Sequence, residues 1–154
     1  MKIQFLGQAG FLITGNHSKI LIDPYLSNYV VTGGYGSTEM FSRNFPPPVN
    51  PEEFTGIDAV FITHDHADHC DLDTMQVIYN NNPNIVFIGP KPVRDHLLSI
   101  KGLKEPQIIS LKNEREWIGD VEYVSIAAAH PYFEVGMDAR DSECVGFLIR
   151  LDNI

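Results

Sequence analysis

A chain of 154 residues with 44% hydrophobic content is sized for one domain, residues 1–154, with a core of its own. Its 20 Asp and Glu against 11 Lys and Arg, a formal net charge of -9, argue against nucleic acid or an anionic membrane as partner, since both are met through a basic surface. Cys70 and Cys144 make no disulfide framework, no signal-peptide pattern opens the chain and no apolar run approaches bilayer length, which together predict a protein of the reducing cytoplasm.

The first 22 residues read as three short strands. Lys2 to Leu6 and Gly10 to Thr14 are separated by Gly7-Gln8-Ala9, and Lys19 to Ile22 follows the turn Gly15-Asn16-His17-Ser18, where His17 is solvated. Asp23-Pro24 ends the third strand, because proline cannot donate to a ladder and restricts the residue before it. From Tyr25 to Gly56 no periodicity shows. Three glycines near Tyr35, the triple proline 46–48 and the aromatics Tyr29, Tyr35, Phe41 and Phe45 are expected to form a packed lid, as long loops inside compact domains are commonly functional.

Ala59-Val60-Phe61-Ile62 is an apolar strand, and Thr63-His64-Asp65-His66-Ala67-Asp68-His69 follows it directly. Imidazoles and carboxylates at this density suit a borderline divalent ion, zinc or manganese first and iron next, whereas calcium would take oxygen almost throughout. If the strand ends at Thr63, His64 and His66 leave the sheet edge on one side, because side chains alternate along an extended chain. Asp68 and His69 follow in the turn, within reach of a second ion about 3.5–4 Å from the first, the spacing of two-metal hydrolases. Asp23, also at a strand end, is placed to orient a ligand histidine from behind. A plain polar loop could carry the same residues. Its position at a strand end, where open sheets gather their ligands, favours the metal.

Asp71 is placed to cap a helix running through Leu72, Met75, Ile78 and Tyr79, which stops in Asn80-Asn81-Asn82-Pro83. Ile85 to Ile88 is a buried strand. Gly89-Pro90-Lys91-Pro92 opens a second helix through Val93, Leu97, Leu98 and Ile100, closed by Gly102, with His96 structural within it. Strand, helix, strand, helix predicts parallel pairing. Ile108 to Leu111, Glu116 to Ile118, Val121 to Ala127 and Val145 to Leu151 are β-like, with a hairpin turn at Gly119-Asp120. His130 follows the Val121 strand behind three alanines, where it offers a third imidazole.

With these residues in place, the chain resembles the metallo-β-lactamase superfamily, whose His-x-His-x-Asp-His signature stands at 64–69. It is most similar to the branch of metal-dependent hydrolases that includes L-ascorbate-6-phosphate lactonase, with support from Ile57-Asp58-Ala59-Val60, Phe87-Ile88-Gly89-Pro90-Lys91 and Gly136-Met137-Asp138-Ala139-Arg140. The resemblance implies an α/β fold, the N-terminal portion of a four-layer αββα sandwich with a mixed sheet and helices on one face. It implies one ion on His64, His66 and His130, and a second on Asp68 and His69. A bridging aspartate in a Gly-Asp pair after the last strand and a further histidine are expected with them, and this sequence has neither. A second half of the sandwich, with another sheet and its helices, is therefore expected from further chain or from a second copy meeting an exposed apolar sheet face.

The implied chemistry is hydrolysis of an ester or lactone by a metal-activated hydroxide, with Asp68 as ligand and proton acceptor. Lys91 and Arg140 are candidate contacts for an anionic group on a small-molecule substrate, arginine being suited to bidentate phosphate recognition. Two alternatives stand beside this one: cleavage of a phosphodiester by the same metals, and a metal-binding or assembly module without turnover.

Overall fold

The computed structural model describes residues 1–32, 43, 45–130, 140 and 142–154. The expected lid aromatics Tyr35 and Phe41 and the stretch 136–139 lie outside them.

Two sheets carry the chain. The larger has six strands in the order β1 (Lys2–Gly7), β2 (Gly10–Thr14), β3 (Lys19–Ile22), β4 (Ala59–Phe61), β5 (Val86–Ile88) and β6 (Ile108–Ile109). Its first three strands form an antiparallel meander, and β3 through β6 run parallel. The change of sense follows from the connections: a two-residue link suffices between β1 and β2, whereas each parallel pair from β4 onward is joined by a crossover. Helix α2 (Leu72–Asn81) makes one crossover and α3 (Lys91–Leu97) the next, after the single-turn α1 (Tyr29–Thr32). Asp71 caps α2 by accepting from Thr74 N, as its position in the sequence predicts. Helix α3 is shorter than its apolar spacing predicts. It ends at Leu97, and the tighter bonds Ser99 N to His96 O and Ile100 N to Leu97 O carry the chain on. This tightening buries Ile100 and leaves Leu98 half exposed.

The second sheet, β7 (Glu116–Ile118), β8 (Val121–Ala127) and β9 (Val145–Arg150), is antiparallel and packs on the first. Three strands of a second sheet are therefore already present within this chain. Alternation along β4 divides the core in two. Val60 faces the helices with Leu21, Ile62, Phe87, Met75, Ile78 and Val93. Ala59 and Phe61 face the other way, into a layer shared with Ile20, Ile88, Val121, Tyr123 and Val145. Phe61 sets its ring edge-on against Tyr123 and Phe147, both at 5.1 Å between centroids, a favourable aromatic geometry. The inner face of the large sheet is thus covered over β3, β4 and β5, while at its β1 edge Ile3 and Phe5, paired with Ile13 and Phe11 on the same face, stay more than half exposed. A second exposed apolar face is the outside of the small sheet, where Trp117, Ile126 and Leu148 stand more than half exposed.

Candidate metal centre

The parallel strands β3, β4 and β5 end at one edge, and the site is assembled there. Asp23 N donates to Phe61 O and Ile62 N to Ile88 O, so the chain leaves all three strands with its backbone still paired. From Thr63 it turns through the motif, closed by His69 N and Cys70 N donating to His66 O. His130 arrives from the other sheet. Val145 N donates to Thr63 O and Ala128 N to Cys144 O, which extends the β8–β9 ladder to the motif. The Cys144 thiol then donates to His130 O.

His64, His66 and His130 converge, with one ring nitrogen from each within 4.8 Å of the others. His130 Nε2 and His66 Nδ1 are 3.2 Å apart, and the ring centroids of the three lie 4.7–4.8 Å from one another. His69 is next to them, its ring 4.0 Å from that of His64. Asp68 Oδ2 lies 3.8 Å from His69 Nε2.

The hydrogen bonds fix where the protons sit. Asp23 is buried and accepts from Thr63 N at 2.8 Å through Oδ1 and from the Thr63 hydroxyl at 2.6 Å through Oδ2. His69 Nδ1 donates to the same Oδ2 at 2.8 Å. Because the single hydroxyl proton of Thr63 goes to a carboxylate, Thr63 Oγ1 must accept from His64 Nδ1, 3.0 Å away. His64 Nε2 therefore carries a bare lone pair, and it is buried without a hydrogen-bond partner among the described residues. A buried acceptor with nothing to accept costs stability unless something fills the position. A divalent cation fits, since imidazole ligands bind through one nitrogen while the other donates to an oxygen that fixes the ring. The residues present suit such an ion.

The electrostatics agree. Burial, then the neighbouring His69 and His66, lower the pKa of His64 to about 4, so the neutral ligand form prevails at ordinary pH. At His69 burial opposes charge, but the hydrogen bond and charge of Asp23 and the charge of Asp68 outweigh it and raise the pKa. Cys70 directly follows the motif, yet burial and then Asp65, Asp23 and Asp71 push its thiol up to about 12, which removes it as a thiolate ligand.

Asp23 holds φ at +41°, a backbone conformation that a non-glycine residue adopts only when its surroundings enforce it. Its three accepted hydrogen bonds are that enforcement. Behind the motif, Asp71 is fully buried and accepts from Leu26 N, Ser27 N and Ser27 Oγ as well as from Thr74. It ties the segment after Asp23 to the start of α2. Sequence reasoning missed Thr63 as the relay between Asp23 and His64. Its place between the strand and the first histidine was the available signal. Lys91 and Arg140 do not join the histidines; they line a separate cavity with Arg94 and Ser110.

A two-sheet α/β domain with imidazoles gathered at the ends of parallel strands defines a class, and comparison with known proteins gives the family. The chain belongs to the beta-lactamase superfamily, whose domain model matches residues 18–153, and it has the metallo-β-lactamase fold. It is 27% identical over its whole length to a UPF0173 metal-dependent hydrolase of Pyrococcus furiosus, of which it covers 58%. It is 36% identical to another, of Archaeoglobus fulgidus, over 57% of this chain and 30% of that one. Among solved structures, an isothiocyanate hydrolase from Delia radicum gut bacteria superposes over 99% of this chain and 59% of its own, with a TM-score of 0.70 at 23% identity. The chain thus spans between about a third and three-fifths of the curated relatives it matches.

Proposed function

We propose that this chain forms the metal-binding part of a metal-dependent hydrolase that opens an ester or lactone bond in a small anionic substrate. The observation that carries the reading is the bare, buried and unpartnered Nε2 of His64 beside His66 and His130. A zinc or manganese ion bound there, or iron, would lower the pKa of water toward neutrality and so supply hydroxide. The chain's own residues do the rest. Asp23 fixes the tautomers of His64, through Thr63, and of His69. The Asp68 carboxylate, beside His69 at the open end of the cluster, serves as ligand to a second ion and takes up the proton released from water. Lys91 and Arg140 meet the anionic part of the substrate. The names of the curated relatives support hydrolysis, and the acidic charge supports a small molecule over nucleic acid.

Both cysteines are free and buried, and no helix among the described residues is long and apolar enough to cross a membrane. The free, buried cysteines support the cytoplasmic reading. The apolar outer face of the small sheet supports association, with a second copy as the expected partner.

Elemental analysis followed by hydrolysis assays on lactone, ester and phosphodiester panels, with His66→Ala as control, tests the function. Metal-dependent opening of a lactone or ester that His66→Ala abolishes is the expected result. Turnover of phosphodiesters alone would move the chemistry to phosphorus. Bound metal without turnover in any panel would leave a metal-binding module, a reading that the two-donor second position, Asp68 and His69, favours.

A further inference from the structure

We infer that Tyr25 is a positioning residue of the metal centre: its hydroxyl donates to the Asp68 carboxylate when that carboxylate holds an ion. This role rests on the metal-dependent reading of the site and gives a brace to a ligand that has none among the described residues. Tyr25 stands two residues beyond Asp23, and the chain holds it firmly. Asp23 fixes the turn before it through the bonds to Thr63 and His69, and directly after it Leu26 N and Ser27 N donate to Asp71. Arg43 closes the other side. Its Nε donates to Ser27 O at 3.0 Å, a second nitrogen donates to Tyr25 O, and its guanidinium carbon lies 3.8 Å from the centre of the Tyr25 ring, a cation–π contact.

The ring so held is fully buried, and its hydroxyl has no hydrogen-bond partner among the described residues. The other buried side-chain atom in that condition is His64 Nε2, at the metal position itself. A tyrosine hydroxyl ordinarily finds a partner when it is buried, and leaving it unpaired costs stability. Burial raises the phenol's pKa against the opposing charge of Arg43, so the oxygen keeps its proton. What it lacks is an acceptor.

The surroundings offer two carboxylates. Tyr25 packs with Val30 against Ala67, which stands between His66 and Asp68 in the motif turn, and the charges of both Asp71 and Asp68 reach the phenol. Asp71 is saturated. Its two oxygens already accept from Leu26 N, Ser27 N, Ser27 Oγ, Thr74 N and Thr74 Oγ1, and a carboxylate has about four lone-pair sites to offer. Asp68 is the reverse: its side chain is 37% exposed, it accepts no hydrogen bond among the described residues, and its nearest charged partner is His69 Nε2 at 3.8 Å. Because Tyr25 is held on both sides and Asp68 is not, the carboxylate is the group that moves. With one oxygen fixed by the hydroxyl, the other is aimed at an ion, which is how outer partners orient ligating carboxylates.

Tyr25→Phe removes the hydroxyl and keeps the ring. Zinc is the probe, titrated calorimetrically into the full chain after metal is stripped with a chelator. In Tyr25→Phe the affinity of the weaker position is expected to fall about 10-fold or more, while that of the position on His64, His66 and His130 stays at the wild-type value. The metal-free variant is expected to melt at or above the wild-type temperature, since an unpaired buried donor has been removed. Filling the weaker position in wild type should also give a tyrosine difference band in the near ultraviolet that Tyr25→Phe loses. Wild-type affinity at both positions in Tyr25→Phe overturns the role. So does a lower melting temperature of the metal-free variant, which would show that the hydroxyl is partnered without any ion, or an equal loss at both positions, which would mark a general disturbance. A wild type that binds one ion and is indifferent to Asp68→Ala overturns the role of Tyr25 alone and leaves a one-ion hydrolase standing. No zinc bound by wild type sinks the metal reading and the role of Tyr25 with it.

Discussion

His64, His66 and His130 are held from two sheets, whereas Asp68 and His69 hang on one turn. The three imidazoles sit where β4 ends and where the extended β8–β9 ladder crosses to it, tied by the Val145 N to Thr63 O bond. Each ring is placed by a backbone that is itself paired. The other two residues share the closed turn 66–70, and among the described residues His69 alone of the pair has a brace, through Asp23. The difference separates a site that is largely formed before an ion arrives from one in which an ion must recruit further donors, which lowers affinity by the cost of ordering them. One strong and one weak metal position are expected from the same seven-residue motif.

The largest effect that would test this contrast is on metal content. His66→Ala should abolish the strong position, exceeding the about 10- to 100-fold loss that follows from removing an outer partner of a ligand. His69→Ala should leave one ion bound per chain in a zinc titration; loss of both would show that the two positions are one. Asp23→Asn comes next. It keeps the shape but weakens the carboxylate acceptor for His69 and Thr63, so an about 10- to 100-fold drop in zinc affinity is expected by calorimetry, larger at the weak position. Asp71→Ala touches neither set directly. It removes the cap of α2 and the anchor of Leu26 and Ser27, so thermal melting of the metal-free chain should fall by the equivalent of about 2 kcal/mol or more, the upper end for a helix cap.

The smallest effect is the pH dependence of that melting. His64 has a folded pKa of about 4 against an ordinary 6.5, so between those values the unfolded chain binds more protons. Stability attributable to His64 is therefore complete above about 6.5 and is lost as pH falls toward about 4. His69, raised in the folded state, has the opposite sign: its contribution is complete below the ordinary value and is lost as pH rises through its folded pKa. Melting temperature should peak between the two limbs. His64→Asn should flatten the acid limb and Asp23→Asn the alkaline one, and an unchanged profile in either variant would contradict the assignment.

The metal centre was the most legible part of the chain, because His64 to His69 is contiguous and an extended strand fixes which side chains share a side. His130 was legible once a strand was placed before it, and Asp23 because Pro24 marks a strand end. Thr63 was not legible as a relay, since its importance lies in a single hydroxyl proton shared between residues that are 41 positions apart in sequence. The division into two sheets was hidden for a related reason. The strands of 108–127 alternate in the same way whichever sheet they join, and only the pairing of β8 with β9 rather than with β6 separates them. The end of α3 was misplaced because Leu98 and Ile100 keep an apolar spacing while hydrogen bonding tightens beneath them.

Trp117 is the chain's one tryptophan, and it stands 60% exposed on the outer face of the small sheet. That placement makes it a built-in fluorescent reporter of whatever covers the face. Emission from the isolated chain should be red-shifted and readily quenched by iodide or acrylamide. It should move to the blue, with quenching lost, when a second copy or another polypeptide packs there. Because the ring lies on the opposite side of β7 from the core, the signal would read assembly without disturbing the histidines on the far edge of the domain.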